Sequence, residues 1–309
     1  MIYHEGMLFM KKKIISVIVG VAGLAAAYFV VSGISHIVYN RPVDNAATES
    51  TAETTEQGTE EAKAAMTEDE INEMLAGMKT TETAETETAT EEQSEVIPVK
   101  FEELQAVNPD IYAWITVPGT VIDYPILQHA SDNTYYLMHN IDGSYGYPGC
   151  IYTENLNSKD FTDNNTVIYG HNMKNGSMFA QLHKFEDPDF FNENREVLIY
   201  LPDEVLHYTI FAAHIYDDRH LLYSFDFTDP EVYQKYLDSI FSTRDMSANI
   251  DKDITVTTDD QIITLVTCIG SQPNNRLLVQ AVLTEREQGT VVEASEKSTD
   301  SVADTALAQ

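Results

Sequence analysis

Three side chains from distant parts of the chain could do chemistry together: Cys268, Arg276 and His171. Cys268 closes the apolar run Ile262-Ile263-Thr264-Leu265-Val266-Thr267. A turn-rich segment follows (Gly270, Ser271, Pro273, Asn274, Asn275), and Arg276 then opens a second apolar run through Leu283. The plain reading is two strands, with a thiol ending one and a guanidinium starting the next. The thiolate is the reactive form of cysteine, and a neighbouring cation favours it. His171 follows a third apolar run, Thr166-Val167-Ile168-Tyr169, in the order Tyr169-Gly170-His171-Asn172-Met173. Gly170 is expected to permit a sharp exit, so that the imidazole projects from a barrel rim. A thiol, an imidazole and a guanidinium at three strand ends form a set suited to thiol catalysis. The remaining histidines of the globular part, His129, His139, His183, His207, His214 and His220, are scattered and are read as surface or satisfied-core residues.

Short strands are the elements that must position these groups. Apolar, β-branched and aromatic runs occur at 111–117, 121–127, 150–153, 166–169, 197–201, 206–216, 254–257, 262–268 and 277–284, with turn residues between them. Many short strands without a strand–helix–strand rhythm predict an antiparallel barrel or sandwich. One helix interrupts them. Asp229 can cap it, Pro230 fits its first turn, and Val232, Tyr233, Tyr236, Leu237, Ile240 and Phe241 recur at helical spacing, as core packing requires. Shorter helices are predicted at 101–107, at 177–185 and around 68–78.

Charge and hydropathy divide the chain. Residues 1–13 end in Lys11-Lys12-Lys13 and precede 26 residues, 14–39, without Asp, Glu, Lys or Arg. A bilayer core needs about 20 such residues, and the apolar run continues past Ala25-Ala26-Ala27, which fits a retained anchor better than a cleaved signal peptide. The flanking lysines predict a cytoplasmic amino terminus and an extracellular remainder. Residues 40–96 are Thr/Glu/Ala-rich, with 16 acidic and 2 basic side chains between 44 and 96. They are expected to form a disordered, extended stalk. A globular domain is placed at 97–287 and a polar disordered tail at 288–309. The net charge of −32 argues against a nucleic-acid partner, because phosphate neutralisation needs clustered Lys and Arg. The two cysteines, Cys150 and Cys268, allow one disulfide or a reactive thiol plus a small buried bystander. No Cys/His spacing suggests a metal site.

The stretch Thr264-Leu265-Val266-Thr267-Cys268, with Arg276 eight residues on, resembles the signature of sortases. Trp114-Ile115, Pro118-Gly119-Thr120, Ile122-Asp123-Tyr124-Pro125, Gln128, Asp132-Asn133 and Tyr135-Tyr136-Leu137 are similar to the family's opening segment. Tyr169-Gly170-His171-Asn172-Met173 with Gly176-Ser177-Met178-Phe179 is similar to the stretch that bears its histidine. The helix at 229–241 resembles the one that sets class B sortases apart. The resemblance covers roughly 100–285. It implies an eight-stranded sortase β-barrel with a few peripheral helices, behind a membrane anchor and stalk. The implied activity is that of a cysteine transpeptidase without a cofactor. Cys268 would be the nucleophile, His171 its acid–base partner, and Arg276 the donor to the developing oxyanion. Its implied partners are surface proteins with a C-terminal sorting signal, cleaved after Thr, and an amine of peptidoglycan or its lipid-linked precursor. Leu137, Asn172, Leu222, Tyr223, Val266 and Thr267 are candidate substrate-binding residues. Other readings are a pilin-polymerising sortase, a plain cysteine peptidase, or a non-catalytic surface barrel closed by a Cys150–Cys268 disulfide.

Overall fold

Alternation of apolar and polar residues along the strands sorts the side chains between a barrel interior and two outer faces. The protein's structure, a computed structural model, describes residues 66–79 and 95–291. The expected membrane span at 14–39 lies outside them, as do residues 1–13, most of the stalk and the tail beyond 291. Among the described residues no helix is long and apolar enough to cross a membrane. In chain order the strands are β1 (Glu95–Ile97), β2 (Ile111–Thr116), β3 (Asp123–Leu127), β4 (Ile151–Thr153), β5 (Asn165–Tyr169), β6 (Glu196–Tyr200), β7 (Glu204–Asp217), β8 (Asn249–Ile250), β9 (Ile262–Ile269) and β10 (Gln272–Val291). The helices are α1 (Glu68–Gly77), α2 (Phe101–Val107), α3 (Pro188–Glu193), α4 (Leu221–Ser224) and α5 (Pro230–Phe241), with 3-10 turns at Tyr135–Leu137 and Phe179–Glu186.

The sheet runs β7-β10-β9-β5-β4-β3-β2-β6 and returns to β7, a closed barrel of eight strands. Closure removes the exposed edges that an open sheet would present. The fold is mostly β with few helices, as expected. Its interior is filled by Ile115, Val197, Ile199, Leu206, Ile210, Leu265 and Val279, among others. Each large aliphatic buried this way stabilises the fold by about 1.5–3 kcal/mol. Strand register is fixed accordingly, because a slip of one residue would turn Leu265 outward.

Helix α5 covers one outer face. The Asp229 carboxylate accepts from the Glu231 backbone N–H at 2.9 Å, and Pro230 takes the first turn. Tyr233, Tyr236, Leu237 and Ile240 are buried against Val167, Phe211, Val266 and Leu278. Val232 and Phe241 stay half-buried at the rim of that stripe. A buried polar link ties helix to barrel: Gln280 Nε2 donates to the Tyr236 hydroxyl at 2.8 Å, and Gln280 Oε1 meets His214 Nε2 at 3.0 Å.

The other outer face is covered from the N-terminal side. Ile71 and Leu75 of α1, with Phe101 and Leu104 of α2, pack against Ile111, Trp114, Leu127 and Val205. The segment expected to be stalk through residue 96 therefore contributes a docked helix. Its start is a capping box, with Thr67 and Glu70 satisfying each other's backbone N–H. At the other end β10 continues past 287 to Val291 and pairs in parallel with β1, Glu95 opposite Gly289. The folded unit thus exceeds 97–287 in both directions. The polar sequence after Leu283 is held as a strand by pairing with β7 and β1, which hydropathy does not register.

Candidate active site

Leu265 packs in the barrel interior, so Val266 and Cys268 take the outer face by alternation. Val266 is buried beneath α5, whereas Cys268, two residues on, is exposed. The thiol therefore sits at a strand end on the outer surface. Arg276 of β10 is the residue directly opposite Cys268, and Tyr216 of β7 is directly opposite Arg276. On the other side β5 runs parallel to β9 with Tyr169 beside Val266. Gly170 N–H donates to the Val266 carbonyl at 3.1 Å, and the Asn172 side chain donates to the Cys268 carbonyl at 2.8 Å. These contacts carry the chain past the end of β5 and bring His171 alongside Cys268. Neighbouring strands lie about 4.8 Å apart, and residues in register share a face. Cys268 and Arg276 thus face each other across β9 and β10, and His171, two residues past the last paired residue of β5, continues that row in sequence register.

The imidazole is oriented by one bond. His171 Nε2 lies 2.7 Å from the Leu137 carbonyl oxygen. A carbonyl only accepts, so Nε2 carries a hydrogen, and in the neutral ring Nδ1 is the acceptor nitrogen. The Tyr147 ring packs 5.2 Å from the imidazole. Leu137, a candidate substrate-binding residue, thus meets His171 through its backbone carbonyl. Gly149 makes that geometry possible. Its φ is +67°, and a Cβ there would fall 2.6 Å from the Tyr136 carbonyl oxygen and 2.8 Å from that of Leu137. Gly149→Ala should lower stability by about 1–3 kcal/mol and slow acyl-enzyme formation roughly five- to tenfold through the displaced Leu137 carbonyl. A melting curve and a single-turnover rate check the two effects. Gly170 is needed for space: its Cβ would fall 2.5 Å from Ile151 Cδ1 and 2.6 Å from the Phe179 ring. No positive φ is involved, contrary to the expected sharp exit.

The connection between β9 and β10 is tighter than its composition suggests. Gln272 already pairs with Ile269, and Arg276 pairs with Cys268, so residues 273–275 bulge out of the ladder. Pro273 has no N–H to give a rung. Arg276 fills the bulge, its Nη1 donating to the carbonyls of Pro273 and Asn275, both at 2.9 Å. Among the described residues Nε and Nη2 have no acceptor, and these are the donors the side chain can offer to a carbonyl oxygen.

Thr267 is buried and its hydroxyl donates to the Gly170 carbonyl at 2.9 Å, which ties the residue before His171 to the residue before Cys268. Leu222 and Tyr223 line an open groove bounded by residues 156–157, 162–165 and 222–228, none of which belongs to the row. The Tyr223 ring leans on His220 at 4.2 Å, and His220 pairs with Glu154. Both cysteines are free thiols, which removes the disulfide reading. Cys150 is buried, and burial pushes its thiol far above the ordinary cysteine range. His183, read as structural, instead reaches the site: its Nε2 lies 3.1 Å from the Cys268 carbonyl oxygen. Only its place in a helical turn, one step from Phe179, hinted at this, and spacing cannot show which neighbour such a turn meets.

Residues 115–284 match the family model described as the sortase domain. The sortase B of Listeria monocytogenes is 34% identical over 188 residues, 60% of this chain and 74% of that protein. The crystal structure of Clostridium perfringens sortase B aligns with a TM-score of 0.55 at 33% identity, covering 60% of this chain and 100% of that one. A Staphylococcus aureus sortase B–substrate complex aligns with a TM-score of 0.53 at 28% identity, covering 60% and 84%.

Proposed function

The chain belongs to the sortase family of cysteine transpeptidases, with class B members as its relatives, and from this we propose that Cys268, His171 and Arg276 are its catalytic groups. What supports the proposal is the pairing of Cys268 with Arg276, together with the Gly170 and Asn172 contacts that hold the segment bearing His171 to the end of β9. The Cys268 thiolate attacks the carbonyl carbon of a Thr in a sorting signal. As the tetrahedral intermediate forms, Arg276 donates N–H groups to the oxyanion. The C–N bond then breaks, His171 protonates the leaving amine from Nδ1, and a thioester remains on Cys268. An amine of peptidoglycan or its lipid-linked precursor attacks that thioester. His171 takes its proton, and the thiolate departs. The substrates are exported proteins carrying a C-terminal sorting signal, and we place the enzyme on the cell membrane. Residues 14–39 serve as a single span, with the amino terminus cytoplasmic and the domain outside.

The test supplies the domain with pentapeptide sorting signals, with and without an added amine. Amide product that appears only with the amine, through a thioester adduct on Cys268, is the expected result. Hydrolysis alone under every acceptor would leave a plain cysteine peptidase.

A further inference from the structure

The parallel ladder between β5 and β9 ends just short of the thiol. Its last rung runs from Gly170 N–H to the Val266 carbonyl. In a parallel ladder the next donor for the strand-end carbonyl, that of Cys268, is the backbone N–H two residues on, at position 172. The side-chain amide of Asn172 takes that place, with Nδ2 2.8 Å from the Cys268 oxygen. His183 stands on the same oxygen at 3.1 Å and on Asn172 Nδ2 at 3.0 Å. Its other nitrogen, Nδ1, is 2.8 Å from Glu186 Oε2.

Donor and acceptor rules order this chain. A carboxylate accepts, so Nδ1 of His183 carries a hydrogen. In the neutral ring Nε2 then accepts one N–H of Asn172, which aims the other at the Cys268 carbonyl. In the protonated ring Nε2–H reaches that carbonyl itself. In both states Glu186 fixes His183, and the Cys268 peptide plane is held by a donor although β5 has left the sheet. The orientation of that plane sets the direction of the Cys268 side chain relative to His171.

We infer that Asn172 and His183, braced by Glu186, are positioning residues that hold the backbone of the nucleophile by completing the truncated ladder. Asn172 then serves the thiol, and its expected part in substrate binding is replaced. The inference rests on the transpeptidase reading above.

Steady-state kinetics with a sorting peptide and an amine test it, in the wild type, Asn172→Asp, Asn172→Ala, His183→Ala and His183→Gln. Asn172→Asp keeps the shape and replaces the donor with an acceptor. Both Asn172 variants should lose about tenfold or more in kcat, the loss of one hydrogen bond to a reacting unit, with KM within about twofold. His183→Ala should lose about three- to tenfold in kcat. His183→Gln, whose amide still donates, should recover most of it. Both residues are partly exposed, so melting temperatures should stay near wild type, and His183→Ala carries the test if an Asn172 variant fails to fold. A raised KM at unchanged kcat in Asn172→Ala would overturn the inference in favour of substrate binding. Wild-type kcat in Asn172→Asp would overturn it too. An inactive wild type would sink the transpeptidase reading instead, so the two failures are distinguishable.

Discussion

Cys268→Ala should abolish acyl-enzyme formation, with a loss on the order of 10⁴-fold or more in kcat, and leave the barrel intact. The reason lies in the row. Cys268 is directly opposite Arg276, and the segment bearing His171 is bonded to the Val266 and Cys268 carbonyls. The fold survives because Cys268 is exposed and its partners in the ladder are backbone groups. An exposed substitution of this kind changes stability by about 0.5 kcal/mol or less. Intact-mass measurement after mixing with a sorting peptide reads the adduct directly. Iodoacetamide gives an independent reading. The native wild type should take one label, the native variant none, and the denatured variant one, because Cys150 is 6% exposed and burial keeps its thiol protonated. A peptide adduct on the native variant would refute the assignment of the nucleophile.

Arg276→Lys should lower kcat by about 10²–10³-fold, the usual cost of one oxyanion donor, with little change in KM. Charge is retained, so the loss isolates geometry. In the native site Nη1 is committed to the Pro273 and Asn275 carbonyls, and Nε and Nη2 remain to face a substrate oxygen. A lysine offers one compact ammonium that cannot satisfy the bulge and present a planar fork at once. Rates measured at saturating peptide and amine check this. A lysine variant as fast as the wild type would remove Arg276 from the oxyanion role.

Much of this arrangement was legible in the chain. The apolar run from Ile262 to Thr267 marks a buried strand that ends at Cys268. Asp229 and Pro230 mark the start of α5 as plainly as the apolar stripe marks its buried face. What composition hides is pairing. Gly270 to Asn275 reads as a loop because its residues favour turns, yet β10 already begins at Gln272. The run from Gln288 to Val291 reads as tail because it is polar, yet two neighbouring strands hold it. Helix α1 lies in a stretch whose acidity argues for disorder. The Thr67–Glu70 box and the pair Ile71 and Leu75 are the local signals that override it. Leu222 and Tyr223 line the groove at 222–228, away from Cys268, and a side chain's apolarity does not reveal which part of a folded surface it lines. His183 is hidden for a related reason: a histidine without a motif acquires meaning only from what folding sets beside it.

The bulge at 273–275 decouples two kinds of change. Leu277 and Val279, locked in the interior, set where β10 begins to count, so Arg276 keeps its place opposite Cys268 whatever the length of the excursion before it. Changes in that excursion leave this backbone register intact, yet they reach the guanidinium through the carbonyls of Pro273 and Asn275.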